Sequence, residues 1–366
     1  MPKRAEIIEE AQRLRAGFEA KGATVVETPV LQPAETLLDL YGEDIRGRAY
    51  VTADAFRGEQ MLRPDFTVPV VQMHMDALAD GGAEPARYTY SGAVFRRQDD
   101  DPTRDSEYLQ VGYEVFDRTD PARCEAEVFA RISGALSHLK LRAATGDIGL
   151  LKAAVDGLDT SEKRKVALRR HIWRPKRFRA LLERFAGRVP VHASRLALLA
   201  EADPMAHEVP QIGLRGEAEV AARIATLRED AETPPIAAGQ VELIEALLAV
   251  RETLPFALEH LRDIGVDLPA IAPAVDRLAA RCDALVTKGV DVDGLEFEGS
   301  YGRTSMEYYD GFVFGLYAER RPDLPPVATG GRYDALTAAL GDGTGIPAVG
   351  GVIRPGLVLQ LREAGQ

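Results

Sequence analysis

Between Arg87 and Phe116 the chain reads RYTYSGAVFRRQDDDPTRDSEYLQVGYEVF. Two strand-like runs, Tyr88 to Arg96 and Tyr108 to Phe116, flank a charged loop. Alternate side chains of a strand share a face. In the second run one face is Leu109, Val111, Tyr113 and Val115, suited to a core; the other is Tyr108, Gln110, Gly112, Glu114 and Phe116. A half-buried strand usually sets apolar against polar residues. Here an amide and a carboxylate stand around a glycine gap on a face that otherwise looks buried. Hydrogen-bond acceptors so placed suit a small ligand with a cationic group lying over Gly112. The same pattern also fits the solvent-facing side of an edge strand, because alternation is a weak signal. A further carboxylate, Asp65, lies in LRPDFTVPVV. Asp65 or Thr67 can cap a helix starting near Thr67, and the local pattern favours the cap over a ligand-facing role for Asp65.

The elements that must position these residues are partly legible. Ile7, Ala11, Leu14 and Phe18 recur at helical spacing, and Gly22 is a natural stop, so residues 3–21 are predicted to be an amphipathic helix. A short strand, Ala23 to Thr28, ends at Pro29. Residues 49–63 read as a hairpin turning near Arg57–Gly58, and a helix is predicted from about Arg123 to Lys140. From Gly149 to about residue 270 the pattern is almost wholly helical, which suggests an insertion rather than more sheet. Within it Lys163 to Arg188 carries eleven Lys or Arg residues, interleaved with Trp173 and Phe178. A solvated helix face or a docking surface for an acidic partner is the preferred reading, ahead of RNA contact. After a helix near 272–288 the strand pattern returns in GLEFEGSYGRTSMEYYDGFVFGLYAE, followed by the glycine turn of VATGGRYDALTAAL and by IPAVGGVIRPGLVLQL.

The 366 residues suffice for a large core, and the net charge of −12 gives no global attraction for nucleic acid or anionic membranes. Cys124 and Cys282 are isolated and read as reduced thiols of a cytoplasmic protein. The first residues, MPKRAEIIEEAQRLR, lack the apolar segment of a signal peptide, and no run is long and apolar enough to span a membrane. There is no GxxxxGK[ST], strand-linked GxGxxG, HExxH or GxSxG.

Four segments in order resemble the catalytic core of the class II aminoacyl-tRNA synthetases, specifically the histidyl type, over roughly residues 1–147 and 290–357. The first helix and the strand ending at Pro29 resemble motif 1, the dimerisation element. FRRQ at 95–98, the loop with Arg104 and YLQVGYE at 108–114 resemble motif 2, and MEYYDGFVF and TGGRYDAL resemble the two histidine-specific segments. The resemblance implies an α+β fold, an antiparallel sheet flanked by helices with a helical insertion: residues 1–148 and 271–366 as two parts of one core, 149–270 as the insertion, and no anticodon-binding domain. It also implies that Asp65, Thr67, Arg96, Gln110, Glu114, Tyr309 and Tyr333 hold histidine. An ammonium needs clustered acceptors, a carboxylate needs a guanidinium, and a neutral imidazole needs a donor, an acceptor and flat walls.

The departures from the synthetase pattern are as informative. Gln98 stands where the family has a glutamate used around ATP, and the loop with Arg104 carries Asp99, Asp100 and Asp101 in a row, a poor cradle for polyphosphate. Thr304 replaces a catalytic arginine; Arg303 is one place off, and in an extended segment would point to the other face. Leu357 falls where motif 3 has its adenine-stacking arginine, with Arg354 nearby. An amino-acid site that is kept beside adenylation chemistry that is lost resembles the regulatory subunits of ATP phosphoribosyltransferase. That resemblance implies no catalytic residue, cofactor or metal. It implies histidine as effector, a short-form catalytic subunit as partner in a hetero-octamer, and a homodimer through the first helix. Membranes and nucleic acid are not expected as partners. A divergent histidyl-tRNA synthetase is the alternative.

Overall fold

The computed structural model describes residues 2–41, 45, 47–98, 104–206, 213–304, 308–341, 343 and 345–363. The chain begins with α1 (Arg4–Glu19), β1 (Thr24–Val25), β2 (Leu31–Pro33), α2 (Ala34–Tyr41), β3 (Val51–Asp54), β4 (Gly58–Leu62) and α3 (Thr67–Ala79). It continues through β5 (Ala86–Phe95), β6 (Glu107–Phe116), α4 (Pro121–Ala135) and β7 (Leu141–Asp147). A mainly helical stretch follows: α5 (Ile148–Asp156), α6 (Glu162–Arg169), α7 (Pro175–Phe185), α8 (Ala193–Ala200), α9 (Glu217–Glu232), α10 (Ala238–Ala249), β8 (Arg251–Thr253), α11 (Leu254–Asp267) and α12 (Ala272–Thr287). The last part holds β9 (Glu296–Glu298), β10 (Phe312–Ala318), β11 (Ala328–Arg332), α13 (Asp334–Leu340), β12 (Ala348–Ile353) and α14 (Pro355–Glu363).

The described strands form a large sheet in the order β1-β5-β6-β12-β11-β10-β7-β9-β8 and a small one, β2-β4-β3. The large sheet is antiparallel from β5 to β7, while β1 pairs with β5 and β9 with β7 in parallel, so the sheet is mixed. One face of β6 meets α1 and α4. The Phe18 and Tyr113 rings lie 5.3 Å apart, and the Tyr113 hydroxyl donates to Glu127 at 2.6 Å. Helix α1 forms because Ala11, Leu14 and Phe18 give it a buried stripe and the Lys3 N–H is capped by Glu6 at 2.7 Å. It ends before Gly22, whose φ of 93° is open to glycine without strain. Helix α4 starts earlier than the sequence suggests, because Asp120 caps Arg123 N–H at 3.0 Å and Pro121 suits a first turn.

The stretch 149–270 is mainly helical, with one short strand among its described residues: β8 joins the large sheet through an antiparallel pairing with β9. Three residues are too few for strand periodicity to show. In the basic run Lys163, Arg170, Lys176, Arg177, Arg179, Arg184 and Arg188 are exposed, in keeping with a solvated face, while part of the charge is paired. Arg164 is buried against Asp230 at 2.6 Å, Lys163 pairs with Glu229, Arg169 with Asp156 and Glu162, and Arg188 with Glu183. These pairs join α6 to α9 and to α5.

Candidate functional site

The site lies on the sheet face opposite α1. There β6 is interior, paired with β5 on one side and β12 on the other, so the edge-strand reading does not hold. Register explains the glycine gap. Gly112 lies opposite Tyr90, and a Cβ on Gly112 would come within 2.0 Å of the Tyr90 ring. The space above Gly112 is therefore filled by Tyr90, which corrects the expectation of a ligand lying directly on that glycine. Tyr90 stacks on Phe66 at 4.3 Å and 13°, and the Arg63 guanidinium stands 3.9 Å from the Phe66 ring, so the phenol is held as a wall.

Glu114 is 1% exposed, and its two oxygens accept the hydroxyls of Tyr90 at 2.7 Å and Tyr333 at 2.6 Å. Gly350 lies directly opposite on β12, where a Cβ would sit 1.3 Å from the carboxylate. Burial pushes the Glu114 carboxyl up to about 7; the phenol hydrogen bonds oppose the rise and nearby Asp65 adds to it. Burial, with the Glu114 charge beside them, drives the Tyr90, Tyr309 and Tyr333 hydroxyls well above the usual range, so all three stay protonated donors.

Asp65 does the local job considered for it. It accepts the Thr67 N–H at 3.1 Å at the start of α3, and its charge acts on Glu114, Tyr90 and Tyr309. The Thr67 hydroxyl receives Tyr308 at 3.2 Å. Tyr309 is buried with its ring against Gly331, where a Cβ would lie 2.7 Å away. Arg96 donates through Nε to the Pro64 carbonyl at 2.7 Å, and its charge opposes a small part of the rise that burial imposes on the Tyr309 hydroxyl. Gln110 is 1% exposed, and its Oε1 has no hydrogen-bond partner among the described residues. The structure thus groups Asp65, Thr67, Arg96, Glu114, Tyr309 and Tyr333, with Gln110 two alternations from Glu114 on the same strand face. Tyr90, Tyr308 and Gly350 join them without having been singled out by sequence. An open hollow of about 390 Å³ lies elsewhere, between Ala202–Met205 and Ile224, Arg228 and Glu232. None of the buried acceptors lines it.

Comparison with known proteins gives this geometry a family. The histidyl-tRNA synthetase family profile matches residues 1–211 and 218–355. The ATP phosphoribosyltransferase regulatory subunit of Brucella ovis is 31% identical over 362 residues, covering 92% of this chain and 93% of the relative; that of Brucella anthropi is 30% identical with the same coverages. The chain belongs to the ATP phosphoribosyltransferase regulatory subunit family. Its fold is the histidyl-tRNA synthetase type of the class II core. A Bacillus halodurans structure described as an ATP phosphoribosyltransferase regulatory subunit/histidyl-tRNA synthetase superposes with a TM-score of 0.69 at 20% identity, covering 99% of this chain and 80% of the other. A histidine–tRNA ligase subunit from Alicyclobacillus acidocaldarius gives 0.61 at 22% identity, covering 100% and 95%.

Gln98 donates to the Asp105 carbonyl at 3.5 Å, and Arg104 is exposed. Asp99, Asp100 and Asp101 lie outside the described residues. Thr304 is exposed in a turn rather than in an extended segment, so the face argument made for Arg303 rests on the wrong local geometry. Arg303 nevertheless leaves the site. Its Nε donates to the Ile172 carbonyl at 2.8 Å, and its guanidinium stands 4.8 Å from the Phe178 ring. Leu357 is half-buried on α14.

Proposed function

We propose that this chain is the non-catalytic, histidine-sensing regulatory subunit of an ATP phosphoribosyltransferase in histidine biosynthesis. The observation that carries this reading is the buried acceptor set: Asp65, Glu114 and the Gln110 carbonyl, which has no hydrogen-bond partner among the described residues, are buried together with three phenols. Buried acceptors left without a donor, such as this carbonyl, are costly. A ligand ammonium and imidazole N–H would satisfy them, while Arg96 takes the carboxylate and Tyr309 and Tyr333 flank the ring. Gln98, Thr304 and Leu357, in place of the synthetase groups, support a chain that binds the amino acid without activating it.

The names of the relatives support a catalytic phosphoribosyltransferase as partner. In this proposal the partner is the short-form catalytic subunit, which needs this chain for activity and receives feedback inhibition through it. The assembly is a cytoplasmic hetero-octamer, with this chain dimeric through the α1 region. Histidine inhibits by binding one conformation of the complex more tightly than the other. A divergent histidyl-tRNA synthetase is the competing reading, since the matching family profile carries that name. Histidine-dependent exchange of pyrophosphate into ATP separates the two. The regulatory reading predicts saturable histidine binding by calorimetry with exchange at background; robust exchange would overturn it.

A further inference from the structure

Strand register singles out a side chain to which the histidine reading gives no role. On β5, Tyr88 lies directly opposite Glu114, and Tyr90 lies opposite Gly112. The nearer phenol does not take the carboxylate, because the Tyr88 hydroxyl meets His74 Nδ1 at 3.0 Å. Tyr90 instead crosses the strand pair diagonally, over the bare Gly112, and donates to Glu114 Oε1 at 2.7 Å. A Cβ on residue 112 would lie 2.0 Å from the Tyr90 Cζ and 2.2 Å from its hydroxyl oxygen, so only glycine leaves this path open. The ring is held in place by a stack. Phe66 lies on it at 4.3 Å, and the Arg63 guanidinium, whose Nε donates to the Ala93 carbonyl at 2.9 Å, stands 3.9 Å from the Phe66 ring. Tyr90 is fully buried, so its hydroxyl cannot exchange Glu114 for water.

Glu114 is faced by Tyr90 from β5, by Tyr333 from the residue before α13, and by Asp65 and Thr67 from the segment entering α3, with Tyr309 near enough to feel its charge. Among the described residues no Lys, Arg or His forms an ion pair with it. Its negative charge is therefore held by hydrogen bonds rather than by a cation. Burial drives the carboxyl up, and the hydrogen bonds from Tyr333, Tyr90 and Thr67 oppose that rise. Tyr333 is proposed above to flank the ligand ring and Thr67 to contact the amino acid. The Tyr90 hydroxyl has Glu114 as its one hydrogen-bond partner among the described residues.

We infer that Tyr90 is a positioning residue of this site, whose hydroxyl orients the Glu114 carboxylate and holds it as the acceptor for an N–H of the bound amino acid. The inference rests on the histidine reading proposed above and adds to it a residue that acts through Glu114. A carboxyl that has taken up a proton presents its own O–H to the ligand and loses that contact.

Histidine affinity of the full chain, measured by calorimetry from pH 6 to pH 9 for wild-type, Tyr90→Phe and Tyr88→Phe, tests it. Dividing each variant Kd by the wild-type Kd at the same pH cancels the titration of histidine itself. Without the Tyr90 hydroxyl, burial is less opposed and the Glu114 carboxyl rises further. For a rise of about one unit, the Tyr90→Phe ratio is about ten at pH 6 and falls at least about three-fold by pH 9, as the carboxylate ionises again. Tyr88→Phe, which removes the neighbouring phenol oxygen from the same strand face, is expected to stay near one throughout. A Tyr90→Phe ratio that does not change with pH overturns the role of Tyr90 and leaves the amino-acid site standing, since a merely structural loss weakens binding equally at every pH. A wild-type chain that binds no histidine overturns both readings. If Tyr90→Phe does not fold, 3-fluorotyrosine at position 90, a stronger donor of nearly the same shape, reads the same bond in the opposite direction. Its ratio is expected below one at pH 6 and to approach one by pH 9; a ratio of one throughout overturns the inference.

Discussion

Glu114 is held by two phenols and a glycine inside a sheet, and its raised pKa makes a signed prediction. The folded-state value lies above the ordinary carboxylate value, so the group favours folding while both states keep the proton. That contribution is lost as pH rises through about 7. At roughly 1.4 kcal/mol per unit, the loss comes to about 3 kcal/mol. Denaturant midpoints of the ligand-free chain should fall between about pH 5 and 8, and Glu114→Gln should flatten that fall; parallel curves would show that burial does not perturb this carboxyl. At this scale Gln110 and Glu114 were legible because they alternate around a glycine within one strand. Tyr90 was not, because its place over Gly112 depends on the pairing of β5 with β6, which the loop between them leaves open from sequence. Asp65 was half legible: its capping bond is local, but its partners Glu114 and Tyr309 are distant in the chain.

At the scale of elements, the site is built by glycines that make room for side chains from neighbouring segments. Gly112 admits Tyr90, Gly331 admits Tyr309 and Gly350 admits the Glu114 carboxylate. The TGGR and VGG segments therefore serve packing as much as turning. Gly350→Ala is expected to displace Glu114, destabilise the chain by about 1–3 kcal/mol and weaken histidine more than ten-fold, read by unfolding and calorimetry. Gly134→Ala, where a Cβ meets nothing within 4 Å on α4, should instead be neutral or stabilising by up to about 1 kcal/mol. Equal effects of the two would remove steric fit as the reason for the glycine. Helix α1 and the β3–β4 hairpin were legible because their periodicity and punctuation are local. β8 and the parallel pairings of β1 and β9 were not, since each is a two- or three-residue strand fixed by tertiary pairing.

Across the whole molecule, the site is tied to the helical stretch by a buried ionic network. Tyr333 reaches Glu114, while its neighbour Arg332 pairs with Glu125 and Asp334. Glu125 also meets Arg281 of α12 at 2.9 Å, and Arg281 meets Asp147, which caps α5, at 2.8 Å. Burial alone would raise the Glu125 carboxyl; Arg281 and Arg332 outweigh it and hold it ionised. Such a network loses several kcal/mol when one partner is removed, so it locks the site's floor to α4, α5 and α12. This connection joins residues far apart in the chain and was invisible in sequence. The family, by contrast, was legible from four spaced segments. The central claim is that histidine regulates the partner through this buried site. Its most direct test is a histidine titration of ATP phosphoribosyltransferase activity in the complex with the short-form catalytic subunit, built with wild-type or Glu114→Gln chain. Inhibition is expressed relative to each complex's own uninhibited rate. The account predicts that histidine inhibits the wild-type complex and that the variant needs at least about ten-fold more histidine for half-inhibition. Superimposable inhibition curves for the two complexes would contradict it.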